Sequence, residues 1–77
     1  MKELIEYIAG AIVDNPDEVR VREEEQGDTV ILYLEVAEPD MGKVIGKQGR
    51  IANAMRALLK VAAARRGLRR AVLEIGE

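Results

Sequence analysis

The spacing of apolar residues divides the chain into six elements. Leu4, Ile5, Ile8, Ala11 and Ile12 recur at helical intervals among Lys2, Glu3, Glu6 and Asp14, which predicts an amphipathic helix over residues 2–14. Asn15-Pro16-Asp17 ends it, because the residue ahead of a proline avoids the helical region. From Val19 to Gln26 the period falls to two. Val19 and Val21 alternate with Arg20 and Arg22, and three acids follow, which reads as an edge-like strand with a solubilising rim at Glu23, Glu24 and Glu25. Gln26-Gly27-Asp28 is a turn signal. Thr29 to Val36 is the clearest strand: Val30, Leu32, Leu34 and Val36 share one face, and Thr29, Ile31, Tyr33 and Glu35 the other.

Beyond Val36 the pattern turns helical again. Glu38-Pro39-Asp40 suits a first helical turn, and a short helix is expected from about Pro39 to Ile45. Gly46-Lys47-Gln48-Gly49 interrupts it. A longer helix follows from about Arg50 to Arg66, with an expected core face of Ile51, Met55, Leu58, Leu59 and Ala62 and a C-cap at Gly67. Beside that face, Ala54, Ala57, Val61 and Ala64 form a second stripe, expected to serve as a dimer seam. Arg70 to Ile75 alternates as a last strand. The order α-β-β-α-α-β predicts an α+β domain over residues 1–77, with a three-stranded sheet packed on helices.

Composition narrows the chemistry. The 77 residues hold no Cys and no His, which removes thiol nucleophiles, zinc–thiolate sites and the commonest general base. No enzyme, cofactor, metal or small-molecule substrate is expected. No uncharged stretch approaches the ~20 residues of a membrane span, and the acidic start is unlike a signal peptide. A cytoplasmic location, with no membrane partner, is the expectation. The net charge of −2 hides a polarity. Residues 1–40 carry three bases against twelve acids, whereas residues 41–77 carry nine bases against two acids. Either the halves neutralise each other across the fold, or the basic half meets an acidic partner such as nucleic acid.

The segment Met41-Gly42-Lys43-Val44-Ile45-Gly46-Lys47-Gln48-Gly49-Arg50-Ile51 must choose between these. It is neither a Walker A loop nor a dinucleotide fingerprint, because the glycine spacing and the preceding element are wrong for both. What remains is helix–GxxG–helix. Gly46 and Gly49 permit a tight turn and close approach of a ligand backbone. Amides at the start of the second helix form an anion site, and Lys43, Lys47 and Arg50 add positive charge suited to phosphate.

VIGKQGRI, set between two helices after a hairpin and before a last strand, resembles a type II KH domain, and the resemblance spans essentially the whole chain. The opening MKELIEYIA and the NPD turn make it similar to the small single-KH RNA-binding proteins of bacteria, the KhpA (YlqC) family. The resemblance implies that Gly46, Lys47, Gln48 and Gly49 grip the backbone of single-stranded RNA. Bases would then lie in a groove whose apolar wall includes Val44, Ile45 and Ile51. The strand Thr29–Val36 is expected as the far wall, its backbone reading base edges. The resemblance also implies an RNA chaperone or post-transcriptional regulator that forms a homodimer or pairs with a larger KH protein of the KhpB (Jag, EloR) type. With only Tyr7 and Tyr33 as aromatics, stacking platforms are scarce. Arg65, Arg66, Arg69 and Arg70 either extend the RNA path or serve dipole capping and solubility. Two rivals remain: an adaptor with a KH fold and little RNA binding, and an enzyme. Single-stranded DNA is a variant ligand of the leading reading.

Overall fold

In this computed structural model, which describes residues 1–76, strands β1 (Arg20–Gln26), β2 (Thr29–Glu35) and β3 (Arg70–Gly76) form one sheet in the order β1-β2-β3. β1 and β2 are an antiparallel hairpin in which Gln26 faces Thr29 across the Gly27-Asp28 turn. Gly27 has φ +61°, a conformation that glycine adopts without strain and that tight hairpins need. β3 pairs parallel to β2, with Leu73 opposite Leu32. A parallel neighbour requires a crossover, and helices α2 (Met41–Ile45) and α3 (Arg50–Arg65) supply it.

One face of the sheet is covered. Val30, Leu32 and Leu34 of β2, Val21 of β1 and Leu73 of β3 are buried beneath Ile5 and Ala9 of helix α1 (Lys2–Ile12) and Met55, Leu59 and Ala63 of α3. On the open face the Arg22 guanidinium lies 4.3 Å from the centre of the half-buried Tyr33 ring. The expected core face of α3 is rotated in the structure. Ala52, Met55, Leu59 and Ala63 point inward, and Leu58 is 48% exposed. Small residues at 52 and 63 let the helix sit close to the sheet. The 100° step from Leu59 then carries Leu58 to the outside.

Helix ends also differ from the expected limits, each for a visible reason. α1 stops at Ile12 because the amides of Asp14 and Asn15 turn to the Asp40 carboxylate instead of continuing the helix. Glu38–Asp40 is a separate 3₁₀ turn ahead of α2. α3 closes with Gly67 at φ +76° and the Leu68 amide donating to the Ala63 carbonyl, a Schellman arrangement that packs Leu68 against the core. The Asp28 carbonyl then accepts the amides of Arg69 and Arg70, which seats the start of β3 beside the hairpin turn.

The three consecutive acids of β1 do not form one exposed rim. Strand alternation puts Glu23 and Glu25 on the helix side and Glu24 on the open side. Glu23 accepts the Lys2 amide at 3.0 Å, so a carboxylate caps the positive end of α1.

Candidate nucleic-acid interface

α2 is five residues long and ends at Gly46, whose φ of 77° and ψ of 171° suit no other residue type. A Cβ at Gly46 would strike the Ile51 side chain and stand 2.9 Å from the Ile51 backbone nitrogen. Lys47–Gly49 form a 3₁₀ turn in which Gln48 (φ 58°) and Gly49 (φ 75°) are both left-handed. Gln48 holds that conformation at a cost of about 1 kcal/mol, which the surrounding turn must supply. The Gly49 amide donates to the Gly46 carbonyl at 3.1 Å, and the Arg50 amide to that of Lys47. Two of the amides at the entry to α3 are therefore spent inside the turn, and the loop offers side-chain charge more than bare backbone donors.

The residues singled out by sequence separate into groups. Lys47, Gln48 and Arg50 are exposed around the turn, with Gly46 and Gly49 half-buried beneath them. Ile45 is 38% exposed and Ile51 is half-buried against the core. Val44 is fully buried, so it anchors α2 from within and presents no wall to a ligand. Lys43 is turned away to Asp14, its Nζ 3.3 Å from Oδ2.

The expected far wall also changes. β2 is paired along both edges, with β1 and with β3, so its backbone is spent on the two ladders. β3 pairs with β2 on one side only, and its other edge adjoins α3. A cleft of about 280 Å³ opens there, lined by Asn53, Arg56, Ala57, Lys60 and Ala71. It begins one helical turn beyond the loop: Asn53 lines it, and a Cβ on Gly49 would sit 3.7 Å from Asn53 Nδ2. Gly49, Asn53, Arg56 and Lys60 follow each other at helical spacing along one flank of α3. The signal for this flank was present in the sequence as polar residues at i, i+3 and i+7. Charge alone does not reveal it, because Arg56 and Lys60 mark a flank only together with the uncharged Asn53.

Neutralisation between the two halves is partial. Arg66 contacts Glu25 at 3.1 Å and Glu23 at 3.8 Å, Arg69 contacts Asp28 at 3.7 Å, and Lys43 contacts Asp14. Among the described residues, the other bases of residues 41–77 pair with no carboxylate. These are Lys47, Arg50, Arg56, Lys60, Arg65 and Arg70, and the first four follow the loop and its adjoining cleft. The stripe Ala54, Ala57, Val61 and Ala64 is exposed, with Val61 at 57%.

Asp40 is the one buried charged residue among those described, and it sets the position of α2. Its Oδ1 accepts the Asp14 amide, and its Oδ2 accepts the Asn15 amide and side-chain Nδ2 at 3.0–3.1 Å. Burial alone would raise its pKa. The hydrogen bonds from Asp14 and Asn15, with the nearby Lys43 charge, outweigh it and hold the carboxyl below its ordinary value. Sequence suggested only a helix-starting acid here.

A hairpin, two helices joined by a left-handed GKQG turn, and a last parallel strand beside a basic cleft define a KH module of the type II order. The family model of the KhpA/KhpB KH domain matches residues 2–75. The RNA-binding protein KhpA of Clostridium acetobutylicum is 55% identical over 75 residues, covering 97% of this chain and 99% of that one. The protein of the same name from Aquifex aeolicus is 48% identical over 77 residues, covering 100% and 96%. That of Treponema pallidum is 55% identical over 62 residues, covering 80% and 78%. The chain belongs to the KhpA/KhpB KH-domain family. No solved structure gives a significant match. No helix among the described residues is long and apolar enough to cross a membrane.

Proposed function

We propose that this protein binds single-stranded RNA in the cytoplasm, as a chaperone or post-transcriptional regulator. The GKQG turn holds the sugar–phosphate backbone through Lys47 and Arg50, and the bases enter the cleft between α3 and β3. One observation carries this reading: among the described residues Lys47, Arg50, Arg56 and Lys60, which follow the loop and its adjoining cleft, pair with no carboxylate, while Arg66 and Arg69 are neutralised by the hairpin acids. The relatives named RNA-binding proteins support it, and the intact Lys47 counts against an adaptor that has lost its ligand. Apolar contact and a few phosphate contacts imply modest affinity that falls with salt.

The test is a titration of labelled unstructured RNA at two salt concentrations, with the parent and a Lys47→Asp, Gln48→Asp variant of matched fold. Salt-sensitive binding that the variant loses supports the reading. Equal binding by both moves the contact to the arginine-rich end of α3. No binding by either at high micromolar protein favours the adaptor.

The partner reading is a homodimer, or a pairing with a larger KH protein, through the exposed Leu58 and Val61 and the alanines beside them. The charged side chains of α3 are all basic, so self-association is expected to strengthen as salt rises. Val61→Asp should leave a folded monomer, and an unchanged sedimentation mass removes the seam.

A further inference from the structure

Resting on the RNA reading above, we propose that the α3–β3 cleft takes one unstacked guanine by its N1–H and N2–H₂ edge, and that Arg56 keeps that place in the free protein. The Arg56 Nη1 donates to Asn53 Oδ1 and its Nη2 to the Leu73 carbonyl, each at 3.3 Å. Two acceptors, one on α3 and one on β3, are thus set to receive a planar group with adjacent donors. A guanidinium is such a group, and it carries donors only. Among the RNA bases, guanine alone presents two adjacent donors, because its N1, C2 and N2 are part of a guanidine unit. Adenine and cytosine place a single amino group beside a ring acceptor, and uracil sets one N–H between two carbonyls.

The exchange is cheap. Both contacts lie at the long end of hydrogen-bond distances, and the side chain is exposed. Leu73 belongs to the strand with an unpaired edge, so the sheet is not broken. Asn53 stands one helical turn beyond Gly49, which sets the guanine next to the gripped phosphate. The displaced Arg56 stays beside Lys60 in the wall of the cleft, where a second phosphate can take it.

The test uses uridine octamers carrying one central guanosine, inosine, adenosine or cytidine, titrated by fluorescence anisotropy. Inosine lacks only the N2 amino group. The parent should bind the guanosine octamer about fivefold or more tightly than the others, the low end for a bidentate base contact. Arg56→Met should weaken all four octamers, lower the salt slope by about one contact and keep the preference. Asn53→Leu, checked for fold by circular dichroism, should erase the preference and keep the slope. Equal affinity for guanosine and inosine, with binding still dependent on Lys47, overturns this inference and leaves the RNA reading standing. A preference lost in Arg56→Met would make Arg56 itself the reader and overturn its role as a stand-in. No binding of any octamer removes the RNA reading and this inference together.

Discussion

The two ends of α3 carry similar charge and present it differently. At its start, Lys47 and Arg50 surround a turn whose left-handed residues leave them exposed and without a carboxylate. At its end, Arg66 and the following Arg69 are held by Glu23, Glu25 and Asp28 of the hairpin, and among the described residues Arg65 and Arg70 pair with no carboxylate. Exposed pairs of this kind add about 0–1 kcal/mol each to stability, yet they change what the arginines present to a polyanion. The contrast teaches that charge present in a chain and charge available to a ligand are separate quantities. Only the fold divides one from the other.

The contrast can be broken most sharply at Gly46. Gly46→Ala places a Cβ against Ile51 at a left-handed φ, so the loop cannot close as it stands. RNA affinity should fall more than tenfold in a titration, with a lower thermal midpoint.

Asp40→Asn comes next, because it loosens the anchor of α2 without touching the loop. The folded carboxyl has a depressed pKa, so its stabilisation is fully present above the unfolded value near pH 4 and is lost as pH falls through the lower folded value. Thermal melts across pH should show the parent more stable than Asp40→Asn at neutral pH, with the gap closing in acid. A gap that widened in acid would reverse the sign.

Asp14→Asn should release Lys43 towards the loop and raise RNA affinity about two- to threefold at low salt, with the gain fading at high salt. The smallest effect is expected at the far end. Arg66→Ala together with Arg69→Ala should change RNA affinity by less than about twofold, because both are already engaged.

Much of this was legible from residue order. The element sequence and the GKQG turn follow from local signals, because a helix-period pattern broken by two glycines has few other solutions. The strand limits came within a residue, since alternation is a local property. What escaped was set by contacts between distant segments. Asp40 is adjacent in sequence only to a helix start, yet its partners lie on the far side of the hairpin. Leu58 is as apolar as Leu59, and only the close seat of Ala52 and Ala63 on the sheet decides which one is buried. Alternation in the sequence points to β2 as the far wall, since β2 is the clearest strand. The clearest strand is the central one, and for that reason its edges are already taken.

The parallel pairing of β3 with β2 has a kinetic consequence. The two strands meet only after the segment from Val36 to Arg69 has folded back as α2, the GKQG turn and α3. Such long-range closure comes late and slows folding. Whereas the hairpin can form on its own early, the cleft between α3 and β3 exists only once the last strand has docked. A chain still emerging from the ribosome has its GKQG turn before it has β3, so it acquires the full groove only after residues 70–76 have emerged.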